Sequence, residues 1–208
     1  MYKSFFKRFF DFFFSLCALI VLSPIIILVS LSLVIVNKGA GVFFYQMRPG
    51  KNEVIFKAVK FKSMTEECDR NGNLLSNAER LTKFGKFIRS TSIDELPQLF
   101  NILKGDMSFI GPRPLLIKYL PFYTDNERKR HSVRPGITGL AAINGRNLID
   151  WDTRLKFDVL YVENISFWGD VKIVFKTIQN VLTAKDIVID TNQELKDLDI
   201  ERQIRKTK

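Results

Sequence analysis

Apolar and polar positions alternate with a different period in each part of the chain, and the first period is no alternation at all. From Phe12 to Val36 there are 25 residues without a formal charge, preceded by Lys3, Lys7, Arg8 and Asp11. That length suffices for a hydrocarbon core of about 30 Å. Ser23-Pro24 interrupts the run, and a mid-helix proline bends the axis and frees a carbonyl that a serine hydroxyl can help satisfy. A crossing helix and a bent helix that enters and leaves on one face both fit. Basic residues flank both ends, so sidedness stays open, and length alone favours the ordinary span. After Gly39-Ala40-Gly41 two short β-type stretches, Val42 to Gln46 and Val54 to Phe61, flank the turn-rich Arg48-Pro49-Gly50-Lys51-Asn52 and predict a hairpin. Glu66 to Glu79 is polar loop. Arg80, Lys83, Lys86 and Arg89, with Leu81, Phe84, Phe87 and Ile88 between them, predict an amphipathic helix with a cationic stripe. Leu96 to Leu103 reads as a helix closed by Gly105. Trp151 to Ile165 and Phe167 to Leu182 predict two more, the second with an i, i+3, i+4 apolar stripe that suits either a core or a membrane interface. The charged stretch after Ala184 reads as a mobile tail.

Charge then singles out one place. The 208 residues carry 32 Lys and Arg against 22 acidic residues, a formal net charge of +10, which points to a polyanionic partner. Within that field Asp94 and Glu95 stand side by side in Ser92-Ile93-Asp94-Glu95-Leu96-Pro97-Gln98. Ser92 and Glu95 have capping-box spacing. Pro97 would then be the fifth helical residue, so Asp94 is the better N-cap and Glu95 follows one residue in. With two cysteines there is no disulfide framework. His131 is the only histidine and lies in the basic run 128–131, read as a solvated face, which sets aside histidine-dependent nucleophile systems. The chemistry left is that of carboxylates, Lys, Arg and a hard metal. Arg113 sits between two prolines in Gly111-Pro112-Arg113-Pro114, a stiff mount for a phosphate clamp. Arg134-Pro135-Gly136 and Asn144-Gly145-Arg146-Asn147 repeat the theme.

These stretches, together with Lys7-Arg8-x-x-Asp11, Ser23-Pro24, Phe44-x-Gln46-x-Arg48-Pro49-Gly50, Lys60 to Met64 and Lys104 to Ser108, resemble the bacterial sugar transferases. The likeness is to the monotopic phosphoglycosyl transferases, especially the small Campylobacter-type enzymes that open N-glycan assembly, and covers nearly all of residues 3 to 183. It implies an α+β fold: a mainly helical compact domain (39–183) with a small β-hairpin and interfacial helices, after a re-entrant membrane helix (1–38) broken at Ser23 and Pro24, and before a charged C-terminal tail (184–208). It implies transfer of a sugar phosphate from a UDP-sugar to undecaprenyl phosphate with release of UMP, at the cytoplasmic face of the bacterial inner membrane. Asp94 would be the nucleophile and Glu95 its partner, both available to Mg²⁺. Arg113, Arg89, Lys60, Arg134 and Arg146 would bind substrate phosphates. Inner-membrane lipids and downstream glycosyltransferases are expected partners, and nucleic acid is not. Ala142 and Lys62 depart from the common family pattern, which bears on nucleotide or sugar contacts nearby. The competing classes are a membrane-tethered module gripping anionic lipid or nucleic acid through residues 80–89, and a carboxylate-pair glycosidase.

Overall fold

The computed structural model describes residues 1–145, 149–183 and 197–206. Helix α1 (Lys7–Val36) extends a π-helical turn at Tyr2–Phe6, and the combined Tyr2–Val36 segment is long and apolar enough to cross a membrane. The helix continues through Pro24, where the Ser23 hydroxyl donates to the Ile20 carbonyl at 2.8 Å. That carbonyl is the one proline cannot serve, lacking an N–H.

Polar side chains tie α1 to the remainder of the protein at both ends. Tyr2 and Lys7 donate to Asp170, Arg8 donates to the carbonyls of Ile102 and Leu103, and Asp11 accepts from Ser108 and the Phe109 amide. At the far end the Asn37 amide donates to the Lys62 carbonyl. Between these points Ala18, Leu19 and Leu22, then Ile26, Val29 and Leu33, press on the globular part. Other apolar side chains, among them Ile20, Val21, Ile27, Leu31 and Ile35, face outward.

The expected hairpin is β1 (Phe43–Pro49) paired antiparallel with β2 (Ile55–Phe61), in the register Phe44↔Lys60, Gln46↔Ala58, Arg48↔Phe56. The cationic stripe is split: α2 (Asn77–Arg80) and α3 (Lys83–Ser90) are separated because Thr82 caps the Gly85 amide and begins a new helix. Helix α4 (Gln98–Lys104) ends at Gly105, whose φ of 101° is the left-handed conformation expected there. Its Asn101 reaches across to β2, donating to the Lys57 carbonyl at 2.9 Å and accepting from the Val59 amide at 3.1 Å, so one side chain closes the open edge of the hairpin.

A second, parallel pair joins β3 (Ser108–Ile110) to β4 (Gly136–Thr138). No period betrays strands of three residues. The chain between them carries Arg113, an irregular helical stretch at Ile117–Phe122, and α5 (Asp125–Arg128). Helices α6 (Leu140–Ile143), α7 (Trp151–Glu163) and α8 (Phe167–Leu182) follow and cover the pair, with Ile110, Ile143, Tyr161, Val162 and Ile173 forming one part of the core.

Two sequence expectations need correction. The run 128–131 is not a solvated face: Arg130 and His131 are buried, because Arg130 finds Asp158 and His131 packs against Tyr123. Nor is the described end of the tail free. Helix α9 (Leu198–Lys206) docks with Leu198 fully buried beside Tyr119, Trp151 and Leu155, while Arg202 pairs with Glu127 and Asp152 and Lys118 with Asp197 and Asp199. Leu198→Ala is therefore expected to cost about 2–3 kcal/mol of stability. Urea unfolding monitored by Trp151 and Trp168 fluorescence measures the change; an unaltered midpoint would mean α9 is not held.

Candidate active site

The site is built where β2, the turn before α4 and the loop after β3 meet. Asp94 is not the N-cap of α4. Residues Ile93–Glu95 form a 3₁₀ turn closed by bonds from the Glu95 amide to Ser92 O and from the Leu96 amide to Ile93 O, each 3.1 Å. Pro97, with its fixed φ of −61°, then stands as N-cap of α4. The Ser92/Glu95 capping box is not formed either: Ser92 makes no side-chain cap bond and has φ 58°. A non-glycine residue in that left-handed region is a point of backbone strain two residues before the carboxylate pair.

Glu95 turns inward and Asp94 does not share its partners. Glu95 Oε1 accepts from Lys60 Nζ and from Arg113 Nη2, both at 2.5 Å. Burial alone would raise the Glu95 carboxyl; Arg113 and Lys60 override it and hold the group down to about 2. Among the described residues Asp94 makes no hydrogen bond or ion pair in the structure, although it lies in the field of Lys60, Arg113 and Arg89. Burial pushes its carboxyl up to about 6 against the pull of those cations, and the neighbouring Glu95 charge adds to the rise. Arg89 is itself oriented by a 2.8 Å bond to the Ser63 hydroxyl. Two adjacent carboxylates thus have different states: one locked between cations, the other ionised at neutral pH and uncommitted.

The mount of Arg113 is made by backbone crossing backbone. The Gly111 amide donates to Thr138 O at 2.9 Å and the Gly136 amide to Pro112 O at 3.0 Å. A Cβ on Gly136 would lie 2.1 Å from the Gly111 nitrogen, so only glycine permits the crossing. Underneath, Arg130 donates to the Arg113 carbonyl at 2.7 Å while pairing with the buried Asp158 at 2.8 Å.

Lys60, Asp94, Glu95, Arg89 and Arg113 are therefore brought together. Arg134 is not with them: it donates to Gly105 O at 2.7 Å, on the side of Arg8, and serves the junction of α1 with α4. The backbone of Arg134-Pro135-Gly136 supports the Arg113 loop, the Gly136 amide donating to Pro112 O. Arg146 lies outside the described residues. Lys62 binds the Ala40 carbonyl and Glu66, holding the exit of α1. Buried His131, with its imidazole lowered to about 4 by burial and by Arg130, stays neutral and apart from the carboxylates.

In the sequence Arg48 and Gln46 stand out only as parts of the turn and the Phe44-x-Gln46-x-Arg48 motif. The structure places both, with Gln98, along a cleft of about 40 Å³ bounded by Lys60, Arg113 and Pro114. Their β-period, Phe44, Gln46, Arg48, was the available signal, since it sets them on the face that carries Lys60.

An uncommitted carboxylate among fixed cations beside an apolar helix suits the demands of phosphoryl transfer at a membrane. The profile of the bacterial sugar transferases matches residues 2–184, and the chain belongs to that family as a phosphoglycosyl transferase. It is 50% identical to an uncharacterized sugar transferase, EpsL, of Bacillus subtilis, over 87% of this chain and 89% of that one. It is 40% identical to the undecaprenyl-phosphate galactose phosphotransferase of Salmonella typhimurium, over 86% of this chain and 40% of that protein. It is 42% identical to the UDP-glucose:undecaprenyl-phosphate glucose-1-phosphate transferase of Klebsiella pneumoniae, over 83% and 39%. The chain thus spans about two fifths of the latter two. These relatives bear out the family, while a closer kinship with the Campylobacter-type enzymes draws no support from them.

Proposed function

We propose that the protein transfers a sugar 1-phosphate from a UDP-sugar to undecaprenyl phosphate through an Asp94 phosphosugar intermediate, releasing UMP. The observation that carries the reading is the uncommitted Asp94 carboxyl beside a Glu95 already locked by Lys60 and Arg113. The names of the Salmonella and Klebsiella relatives support the lipid acceptor and the class of donor.

In the first displacement an Asp94 oxygen attacks the sugar-side phosphorus, the bond to the bridging oxygen breaks, and UMP departs with the electron pair. In the second an oxygen of undecaprenyl phosphate attacks the same phosphorus, the Asp94–phosphorus bond breaks, and the carboxylate is restored. No net proton is moved, which suits a site without an available histidine. Covalent capture divides one hard transfer into two. Lys60, Arg113 and Arg89 hold and neutralise phosphate oxygens, and Glu95 fixes the first two cations so that they need no reorganisation during reaction.

The donor set fits Mg²⁺. Glu95 Oε1 takes both cation contacts, which leaves its second oxygen, and Asp94 offers the oxygen that does not attack. Two carboxylates completed by phosphate oxygens and water are a usual Mg²⁺ environment. When bound, Mg²⁺ supplies further neutralisation of the diphosphate.

A monotopic placement is supported by α1, about 45 Å long by its rise, being anchored on one globular domain at both its ends; the cytoplasmic face is the side on which a UDP-sugar donor would be met. The start of α8 meets α1, with the rings of Phe10 and Phe167 6.0 Å apart, and the exposed Phe167, Trp168, Phe175 and Ile178 of α8 add apolar surface.

Incubation with a panel of UDP-sugars and Mg²⁺, without acceptor, is expected to release UMP and leave a phosphosugar mass on Asp94. UMP appearing only when polyprenyl phosphate is present, with no adduct, would overturn the two-step reading. Adduct formation should also fall as pH drops through about 6, because the raised Asp94 carboxyl must be ionised to attack, by about tenfold for each further unit. A rate independent of pH between 5 and 8 would contradict the assignment of Asp94.

A further inference from the structure

Arg48 is the cation the two-step reading leaves without work. Strand pairing sets Gln46 and Arg48 on the face of the hairpin that carries Lys60, and all three line the cleft with Gln98, Arg113 and Pro114. Arg48 donates to Gln46 Oε1 at 2.5 Å and forms no ion pair among the described residues. Lys60 and Arg113, by contrast, are each already met by Glu95. A half-buried guanidinium facing another guanidinium, with only a neutral amide for a partner, is a costly arrangement unless an anion is meant to join it. Burial and then Arg113 lower it to about 10, so it remains charged at neutral pH.

The strand register gives the order along the cleft. Phe44 is the partner of Lys60, and Arg48 lies two side-chain positions further along the same face of β1, beyond Gln46. Glu95 bonds to Lys60 and Arg113, and Asp94 is its chain neighbour in the same turn. Lys60 and Arg113, joined through Glu95, therefore lie on the Asp94 side, and Arg48 stands at the far end. Phosphoryl transfer places the entering and leaving oxygens in line, on opposite sides of phosphorus. With the reacting phosphorus held by Lys60 and Arg113, the group opposite Asp94 points to Arg48.

We propose that Arg48, oriented by Gln46, is the seat for the phosphate opposite Asp94, and that the departing nucleotide phosphate and the incoming lipid phosphate occupy this seat in turn. The inference rests on the two-step reading. In the first displacement the bridging oxygen leaves toward Arg48 as part of UMP. In the second a lipid phosphate oxygen enters from the same place, since Asp94 is now the group displaced. One seat for both phosphates makes UMP a competitor of the acceptor, and acceptor binding requires UMP to have left.

The test uses the full-length protein with Arg48→Met and Arg48→Lys. Adduct is first accumulated with UDP-sugar, then discharged either by UMP, which regenerates UDP-sugar, or by a short-chain polyprenyl phosphate. Both discharges are expected to slow by a similar factor in Arg48→Met, about 10–100-fold, and to recover in part in Arg48→Lys. In the Asp94→Asn background Arg48→Met should weaken UMP binding by the same order and leave uridine binding unchanged, a distinction that general disruption of the cleft would not produce. Slowing of one discharge alone, equal weakening of UMP and uridine, or no change would overturn the proposal. If the wild-type protein forms no adduct, the two-step reading itself fails; if it does and Arg48→Met behaves like wild type, only the shared seat fails.

Discussion

Asp94→Asn is expected to abolish adduct formation and turnover together, by about 10⁴-fold or more, the scale on which removal of an attacking group is felt. The amide nearly matches the carboxylate in shape, and among the described residues the Asp94 side chain makes no hydrogen bond or ion pair whose loss would disturb the fold. Stability gives a second readout with a definite sign. Asp94 titrates near 6 in the folded protein against an ordinary value of 3.8, so the folded state binds this proton more tightly than the unfolded chain. Its contribution to stability is fully present below about pH 4 and is lost as pH rises through about 6. Asparagine removes that dependence, and the variant should be at least as stable as wild type at pH 8. Thermal melts at pH 4, 6 and 8 beside the UMP assay check both halves. Substantial residual turnover, with adduct found on Glu95 or nowhere, would show that Asp94 is not the nucleophile.

Arg130→Met is expected to cost about 3–5 kcal/mol, because it strands the buried Asp158 carboxylate without its only ion-pair partner among the described residues. That is a large share of the stability of an ordinary domain. The same guanidinium also holds the Arg113 carbonyl, so activity should fall in variants that still fold. Arg130→Met combined with Asp158→Leu should recover most of the stability, since no unpaired charge remains, but not the rate, since the Arg113 carbonyl is still unsupported. Chemical denaturation of the single and double variants, with UMP release measured on each, separates the two effects. Equal recovery of stability and rate would mean that Arg130 does not position the loop.

Much of this architecture was legible in the sequence. Long apolar periods have only one way to be buried or to meet lipid, so α1, α7 and α8 were readable, as were the hairpin and the glycine that ends α4. The Ser23 hydroxyl serves the carbonyl that Pro24 frees, as its position predicts. The misses share a cause: they are fixed by contacts distant in the chain. The parallel β3–β4 pair rests on a crossing of Gly111 with Gly136, and the burial of Arg130 depends on Asp158, 28 residues on. Arg134 looked like a phosphate ligand because a proline and a glycine follow it, yet those two residues serve the crossing while its side chain binds Gly105 O. Position within the carboxylate turn failed locally, where Pro97 set the start of α4 and left Asp94 in a 3₁₀ turn behind a strained Ser92.

The glycine crossing under Arg113 has an evolutionary corollary. Main chain stacked on main chain offers no side chain to vary, so this part of the cradle cannot be retuned by substitution without being dismantled. Enzymes sharing it would diversify their choice of hexose elsewhere, keeping one diphosphate chemistry beneath a changing carbohydrate preference.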